Sequence, residues 1–460
     1  MTGISLIDTT LRDGNQSNWG ATGLDTAMML QIAPVMERVG FEAIDFTTST
    51  HMAVAVRFKR EDPWECLRLF REATPQTPLS FLTTGMRFIS WELASEELME
   101  FAFRLLVRNG IRRFAIMDPM NNVASMLNMA AITRKAGGEQ IVAALTFTLS
   151  PLHDDAHFAE AARKLADAGR FDKLYLKDPG GLVSPERART LIPALATAIG
   201  ALPLEFHSHC TIGLAPFSYL EAAGAAAVCR QVDVDDAAVA EMDSYFTALA
   251  AAEGLTPGVP GEFDRSYFRH QMPGGMMGTM KRQLAETKRL HLLPQVLEEV
   301  ERVRADLGYP IMVTPFSQVV ATQALLNVVG GERYGVVPDE VTRYVLGRFG
   351  APAMPLNSKI EDRIRSSKRA KELEEEPHMA SLDELRAKIG KGYSDEEFLL
   401  RAVMPADQVD AMKAAGPARR DYDPAHRPAM KLLRELAARK DIGSVKISRP
   451  GLTLELSGGM

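Results

Sequence analysis

Polar side chains follow three of the short apolar runs in the chain, at the points where predicted strands end. The stretch DTTLRDGNQ at 8–16 follows one run, Lys177 ends another, and His207 and His209 end a third. Because alternate residues of a strand point to the same side, both imidazoles can converge on one point. Neutral imidazole is a good ligand for zinc, manganese or cobalt, which makes a metal site one interpretation. The alternative is a pair of hydrogen-bonded histidines, since His-x-His is short and recurs by chance.

Two further residues could complete such a site. Asp13 could supply a carboxylate from the first loop, although a lone loop aspartate more commonly caps a helix or turn. Lys177 should point toward the same site, where its ammonium would be repelled by a divalent cation. Greater distance would remove this conflict, and so would conversion of the amine by carbon dioxide into a carbamate, an anionic ligand. An ion pair with Asp178 or Asp13 is the interpretation that the residues alone favour.

The elements that must position these residues form a regular alternation over the first 240 positions. Eight strand-length apolar runs are separated by amphipathic helical patterns, which predicts a (β/α)8 TIM barrel, an α/β fold. A doubly wound open sheet is the alternative, but it less often reaches eight such units. In a TIM barrel the active site lies at the C-terminal ends of the strands, where the polar residues stand. The eight predicted strands are Ile4–Thr10, Phe41–Thr48, Leu79–Thr84, Arg113–Asp118, Ile141–Thr148, Lys173–Asp178, Leu204–His209 and Val228–Asp233.

The pattern becomes mainly helical after about Gly261. Helices are predicted at 280–300 and 316–330, a solvated helix or connector at 359–376, and two short amphipathic helices at 381–415. The tail reads as a helix, Met430–Arg439, and two strands, Val445–Ser448 and Leu452–Leu456. We therefore expect a barrel domain at 1–260, a helical region at 261–415, a linker at 416–427 and a small tail at 428–460.

Composition excludes several classes of protein. The 460 residues exceed what one core usually supports, and a net charge of −6 does not suggest a nucleic-acid partner. Three widely spaced cysteines, Cys66, Cys210 and Cys229, form neither a disulfide framework nor a CxxC metal motif. With no apparent signal peptide and no apolar stretch of about 18 residues, a cytoplasmic enzyme without a membrane span is expected.

Several motifs resemble one known family. They are IDTTLRDGNQS at the first strand, YLKDPGGL at the sixth, FHSHCTIGLA at the seventh, EDPWECLR at 61–68, HQMPGGM at 270–276, VTPFSQVV at 313–320 and SDEEFLLRAVMP at 394–405. The chain is similar over roughly 4–405 to the biotin-dependent carboxyltransferases. These include the carboxyltransferase domain of pyruvate carboxylase, the alpha subunit of oxaloacetate decarboxylase and the central subunit of transcarboxylase. A more distant similarity is to the acyl lyases and synthases of the same TIM-barrel superfamily.

The resemblance implies a function and a set of site residues. The implied metal ligands are Asp13, His207, His209 and a carbamylated Lys177. Arg12 and Gln16 would lie beside the substrate, with Arg12 as a second positive pole, although Arg12 is also compatible with a structural pair to Asp8 or Asp13. The implied reaction moves a carboxyl group between carboxybiotin and the α-carbon of a carbonyl compound, through an enolate stabilised by zinc, manganese or cobalt.

Two departures from the family pattern concern the substrate. Members that use pyruvate carry an arginine after the third strand that clamps the substrate carboxylate, whereas this chain has Thr84 there and Arg87 three residues later. They also carry a proton-shuttling threonine after the eighth strand, which is missing from Ala238–Tyr245. A change of substrate or reaction on a retained metal centre would produce this combination, and we expect pyruvate to be a poor substrate.

Biotin is expected on a separate carrier protein, because two near matches to a biotin-accepting lysine, Lys413 and Lys431, lie in helical patterns. A biotin carboxyl carrier protein and a biotin carboxylase subunit are thus the expected partners of a homo-oligomeric enzyme. A biotin-independent metal-dependent lyase or aldolase and a non-catalytic scaffold subunit are the alternatives. The tail is similar to the stretch that precedes the biotinyl domain of carrier proteins. It is interpreted either as a packing element or as a docking module.

Overall fold

The computed structural model of the chain describes residues 3–89, 93–224, 232, 234–375, 380–422, 432, 436, 444–449 and 452–457. Its strands are β1 Ile7–Asp8, β2 Ala43–Thr48, β3 Leu79–Leu82, β4 Ile111–Met117, β5 Gln140–Thr146, β6 Lys173–Asp178, β7 Leu204–Ser208, β8 Ser444–Arg449 and β9 Leu452–Ser457.

Helices separate the first seven strands and make up most of the rest of the described chain. They are α1 Asn15–Trp19, α2 Thr26–Val39, α3 Ser49–Val54, α4 Pro63–Ala73, α5 Glu96–Arg108, α6 Val123–Lys135, α7 Asp155–Asp167, α8 Pro185–Ile199, α9 Ala215–Ala223, α10 Asp236–Glu253, α11 Tyr267–His270, α12 Gly274–Glu286, α13 Leu293–Asp306, α14 Phe316–Gly330, α15 Asp339–Val345, α16 Ser358–Arg365, α17 Lys368–Glu374, α18 Leu382–Ile389, α19 Asp395–Val403 and α20 Ala406–Ala415.

The sheet has the strand order of a barrel. Strands β1 to β7 are parallel, and each neighbours the next in sequence. A doubly wound sheet would reverse its strand order at a switch point, so that alternative is wrong. The predicted eighth strand, Val228–Asp233, lies outside the described residues except for Val232, which pairs in parallel with Ile4 on the far side of β1. An eighth strand would have to pair with the chain at this position, beside β1, to close the barrel.

The first strand is much shorter than the predicted Ile4–Thr10. The Asp8 carboxylate accepts hydrogen bonds from the Thr10 backbone N–H at 3.1 Å and from the Thr10 hydroxyl at 2.6 Å. These local bonds compete with the strand ladder. A π-helical turn, Thr10–Gly14, follows directly and carries the first loop into the mouth of the barrel.

The C-terminal helices build a second core that also reaches into the barrel. Residues of α12 to α16 pack together around Phe316 and Tyr344. The segment after α13 inserts Ile311 and Val313 among the inward-facing side chains of β3 to β6. Arg304 of α13 donates to the Thr148 hydroxyl at 2.9 Å, just beyond β5. The helical region therefore covers the end of the barrel where the predicted site lies.

Helices α19 and α20 pack instead on the barrel core, and the chain then runs along the rim of its mouth. We call residues 416–422 the rim strap. The Ala418 N–H donates to the Glu65 carboxylate at 3.0 Å, and Arg419 pairs with Asp25 at 2.5 Å. Asp25 caps α2 and Glu65 lies in the first turn of α4. Both helices follow a barrel strand and so begin at the mouth.

The remaining C-terminal predictions differ in detail. Helices occur in the predicted 280–300 and 316–330 ranges, whereas 381–415 holds three helices rather than two. The segment predicted as a solvated helix or connector forms α16 and α17, and its apolar residues Ile364, Ala370 and Leu373 are buried. The two predicted tail strands occur as β8 and β9, and they pair as an antiparallel hairpin. The predicted helix Met430–Arg439 falls outside the described residues except at two positions. In the described part of the chain, no helix is long and apolar enough to cross a membrane.

Candidate metal centre

Three strand ends bring the predicted ligands together at the mouth of the barrel. Lys177 of β6 and His207 of β7 are paired in register, and His209 follows β7 directly. Asp13 arrives from the π-helical turn after β1. One carboxylate oxygen of Asp13 and one ring nitrogen of each histidine lie within 4.8 Å of one another. Residues that are up to 196 positions apart in sequence thus share one small site.

The Oδ2 atom of Asp13 is the focus of this cluster. It lies 2.9 Å from the Lys177 ammonium and 3.0 Å from the Arg12 guanidinium. The Nε2 atoms of His209 and His207 lie 3.2 and 3.3 Å from it. Burial alone would raise the pKa of Asp13, but the neighbouring cations hold it well below its usual range. Asp13 is therefore an anion at any physiological pH.

His207 has the features expected of a metal ligand. Its Nε2 is buried and, among the described residues, has no hydrogen-bond partner of suitable geometry. Burial lowers the pKa of His207 to about 4, so the imidazole is neutral and its lone pair is available. A buried polar atom without a partner costs free energy, which a bound cation would offset. The donor set of two imidazoles and one carboxylate therefore fits a divalent transition metal.

Lys177 is buried, and burial lowers the pKa of its ammonium. Of the two acidic partners considered from the sequence, Asp13 is the one that it contacts. Asp178 is occupied elsewhere, because its carboxylate accepts the backbone N–H groups of Leu182 and Val183 and the Ser208 hydroxyl. A lowered pKa increases the share of neutral amine, which is the form that adds carbon dioxide.

The position of His209 depends on a glycine. Its backbone N–H donates to the Asp178 carbonyl at 3.0 Å, so the β7 loop lies directly against the β6 loop. Gly181 in that β6 loop has a φ of +67°, and a Cβ added there would lie only 2.3 Å from the His209 carbonyl oxygen. Only glycine combines the left-handed backbone with this close approach. The PGGL sequence thus has a direct steric role in the site.

Arg12 lies inside the site but is paired on both sides. It contacts Asp13, as considered from the sequence, and its Nε donates to Asp45 of β2 at 2.8 Å. Asp8, the other partner considered, is bound to Thr10 instead. Gln16 lies half-buried in the short helix α1 beside the first loop. Sequence reasoning missed Asp45, although an acid between the apolar residues Ile44 and Phe46 of a predicted strand was an available signal.

The residues at the two departures from the family pattern lie in the loop after β3 and in helix α10. Thr84 is half-buried just beyond β3. Arg87 is buried in the same loop, with its guanidinium 5.0 Å from the Phe349 ring centre. Burial lowers the pKa of Arg87 to about 10 despite the nearby Asp118. Residues 238–245 lie within helix α10, which begins at Asp236 and leaves a short connection after Val232.

Comparison with known proteins gives consistent results. The family model described as a conserved carboxylase domain matches residues 268–442. A pyruvate carboxylase subunit of Methanocaldococcus jannaschii is 34% identical over 396 residues, which cover 78% of this chain and 68% of that protein. The 2-oxoglutarate carboxylase large subunit of Hydrogenobacter thermophilus is 30% identical over 449 residues, which cover 88% and 68%.

Solved structures support the fold. The carboxyl transferase domain of Rhizobium etli pyruvate carboxylase superposes with a TM-score of 0.79 at 24% identity, covering 91% of this chain and 78% of that domain. The chain spans 45% of the length of a longer chain of the same R. etli enzyme. The predicted TIM barrel followed by a helical region is thereby confirmed.

Fold and relatives together define a TIM-barrel enzyme of carboxyl transfer. The chain belongs to the family of biotin-dependent carboxyltransferases that includes the M. jannaschii pyruvate carboxylase subunit. The resemblance read from the motifs is confirmed, and so is the enzyme class.

Proposed function

We propose that this chain is the metal-dependent carboxyltransferase or decarboxylase component of a biotin-dependent complex. It would move a carboxyl group between carboxybiotin on a separate carrier protein and the α-carbon of a carbonyl compound. The observation that carries the metal dependence is the convergence of Asp13, His207 and His209. The buried Nε2 of His207 lies 3.3 Å from Asp13 and, among the described residues, makes no hydrogen bond of suitable geometry.

The proposed ligands of one divalent ion, zinc, manganese or cobalt, are Asp13, His207, His209 and Lys177 as its carbamate. A bound ion would polarise a carbonyl oxygen of the substrate as a Lewis acid. The aspartate and the carbamate would together balance its charge, while the burial of His207 keeps that ligand neutral. The present contact between Lys177 and Asp13 would then be replaced by bonds from both groups to the ion.

Arg12 has a separate role in this proposal. Its guanidinium is buried and is held in place by Asp45 on one side and Asp13 on the other. A fixed cation needs little reorganisation when negative charge develops on a substrate oxygen, which lowers the barrier. Asp45 would be a positioning residue, because it contacts Arg12. Gln16, in the helix that follows, would contact the substrate.

The substrate is expected to differ from pyruvate. A threonine at position 84 cannot form the bidentate, charge-assisted hydrogen bonds with which an arginine holds a carboxylate. Loss of such bonds costs about 1.5–3 kcal/mol, or roughly 10- to 100-fold in kcat/KM. Carboxyl transfer to pyruvate by the metal-loaded chain with its carrier should therefore be at least about tenfold less efficient than transfer to the natural acceptor. Efficient carboxylation of pyruvate, or efficient decarboxylation of oxaloacetate, would refute this prediction.

The assay that tests the function as a whole compares a panel of carbonyl compounds with and without a biotin carrier. Carboxyl transfer that requires the carrier supports the proposal. Carbon–carbon cleavage by the chain with metal alone would identify the lyase or aldolase alternative. A site that stays empty at high metal concentration would identify the scaffold. Lys413 lies in helix α20, which is unlike the hairpin turn that presents a biotinylated lysine, so the assay supplies biotin on another chain.

The C-terminal hairpin is the proposed docking element for a partner subunit, either the carrier protein or the biotin carboxylase. An isolated two-stranded hairpin is marginally stable in water, and an exposed strand edge can pair with another chain. We expect deletion of residues 425–460 to leave the barrel and metal content intact, because the rim strap ends before the cut. Assembly with the partner should weaken markedly in a pull-down with the carrier and carboxylase subunits. A chain with a scrambled 444–457 segment is the matched control for tail length and composition.

Two results would remove the docking proposal. One is that the truncated chain recovers its full complement of subunits. The other is that it fails to fold, which would show a packing role for the tail.

A further inference from the structure

A large cleft lies between the loop after β5 and helix α13, outside the proposed metal centre. It has a volume of about 720 Å³ and is lined by Leu149 and Ser150 of that loop, by part of α11, by one face of α13 and by Tyr309. None of the four proposed metal ligands lines it. A molecule bound in this space, which we call the α13 cleft, would therefore lie away from the metal.

Arg304 presents a buried cation to the α13 cleft. Only 3% of its surface is exposed. Its Nε donates to the Pro310 carbonyl at 3.0 Å, and its Nη2 donates to the Thr148 hydroxyl at 2.9 Å and to the Leu149 carbonyl at 2.7 Å. Its Nη1 makes no hydrogen bond with any described residue. One edge of the guanidinium is thus fixed, and the N–H groups of Nη1 are left for a ligand.

The charge of Arg304 has no counter-ion in the described part of the chain. Burial lowers the pKa of Arg304 to about 10, and the groups that oppose this shift are the phenols of Tyr309 and Tyr344 rather than a carboxylate. The guanidinium carbon also lies 5.5 Å from the centre of the Tyr309 ring. A buried charge without a counter-ion is costly. An anion that reaches Nη1 would gain a charge-assisted hydrogen bond and offset this cost.

An acidic residue lies one turn away on the same helix. Glu301 precedes Arg304 by three residues in α13, lines the same cleft and is exposed. Three residues correspond to a rise of about 4.5 Å, and residues with this spacing lie on one face of a helix. Glu301 does not contribute to the pKa of Arg304, so its carboxylate is not paired with the guanidinium. The cleft thus offers a separate cation and anion about one helical turn apart.

We propose that the α13 cleft binds a short-chain carboxylate that also carries an amino group. Its carboxylate would accept hydrogen bonds from Nη1 of Arg304, and its ammonium group would pair with Glu301. A phosphate dianion fits less well, because Glu301 and Glu298, which also lines the cleft, would repel it. The inference goes beyond the proposed function and does not depend on a metal ion, since no proposed metal ligand contributes to the cleft.

A purely structural role for Arg304 is the competing explanation. Two of its hydrogen bonds join α13 to residues just beyond β5, and they would hold the helical region against the barrel without any ligand. Replacement of Arg304 would then lower the melting temperature and leave ligand binding unchanged. Binding and melting temperature are therefore measured on the same samples.

The test uses the full-length chain and 4-aminobutyrate as the probe, with its dissociation constant measured by ligand-observed NMR. The matched ligands are butyrate, which lacks the amino group, and butylamine, which lacks the carboxylate. We expect Arg304→Gln to weaken the binding of 4-aminobutyrate and butyrate about tenfold or more, because it removes a charge-assisted hydrogen bond. Glu301→Gln should weaken 4-aminobutyrate about threefold and leave butyrate unchanged, because it removes an exposed ion pair.

The controls are Arg282→Gln and Glu286→Gln, since both residues are exposed on α12 and do not line the cleft. Both variants should keep the wild-type affinity for 4-aminobutyrate. The double variant His207→Ala/His209→Ala should keep it too. This last control separates the cleft from the metal centre, so the inference stands or fails independently of the proposed function.

Failure of 4-aminobutyrate to bind the wild type would overturn the inference. Inorganic phosphate that binds at least as tightly and displaces the probe would also overturn it, because the cleft would then be a general anion site. Unchanged affinity in Arg304→Gln would assign Arg304 the structural role. If that variant does not fold, Glu301→Gln decides, since its side chain is exposed. A loss shared equally by 4-aminobutyrate and butyrate, or no loss at all, would then contradict the inference.

Discussion

Replacing His207 and His209 together with alanine is expected to abolish bound metal and to reduce carboxyl transfer by about 1,000-fold or more. Lewis-acid stabilisation contributes several kcal/mol to the transition state, and about 4 kcal/mol corresponds to a factor of 1,000. The barrel should stay folded, because both side chains end in the mouth rather than in the apolar core. Metal content is measured by elemental analysis, activity by the carrier-dependent assay and folding by circular dichroism.

The exposed His291 provides the control for this double variant. His291→Ala should retain metal and activity, because the residue lies in the helical region outside the site. Active wild-type enzyme that contains no transition metal would show that the cluster of Asp13 and two histidines serves another purpose.

Removal of carbon dioxide is expected to inactivate the enzyme reversibly, and Lys177→Arg is expected to inactivate it by about 100-fold or more. Without the carbamate the centre loses one anionic ligand and gains a cation beside the metal, which is electrostatically unfavourable. Arginine keeps the positive charge of Lys177 but cannot form the carbamate. Activity after degassing should return on addition of bicarbonate. With ¹³C-bicarbonate, a carbamate resonance should appear by NMR in the metal-loaded chain.

Lys173 is a matched control for the carbamate prediction. It lies on the same strand, β6, but at the opposite end of the barrel, where it pairs with Glu42 and Glu205. Lys173→Arg should keep the carbamate resonance and Lys177→Arg should lose it. A high-resolution structure showing an unmodified Lys177 that points away from a bound ion would contradict the prediction decisively.

The barrel could be predicted because its signal is local and repeated. Each strand is a short apolar run and each helix has a period near 3.6, so topology follows from counting the alternation. The ends of β6 and β7 were predictable for the same reason, since strand geometry alone places His207 and His209 on one side. The first strand was predicted too long, because the side chain of Asp8 captures the Thr10 backbone and ends the ladder early.

Contacts between distant segments could not be predicted from the residues. Nothing in the local pattern around Asp45 indicates that it pairs with Arg12, 33 positions earlier. The insertion of Ile311 into the barrel also depends on tertiary packing. The ligand set of the metal centre came from resemblance, and the geometry now supports it as a proposal. Where the chain departs from its family, at Thr84, sequence reasoning could identify only what was missing.

The rim strap limits how far from the active site a partner that binds the hairpin can lie. Residues 423–443 separate Tyr422 from Ser444, so even a fully extended chain keeps the hairpin within about 75 Å of the barrel mouth. One molecule confined to a sphere of that radius has an effective concentration of about 1 mM or above. A subunit held by the hairpin would therefore meet the active site repeatedly at this concentration, whatever its dilution in bulk solution. Docking could then be weak and short-lived, which would let carriers exchange between turnovers.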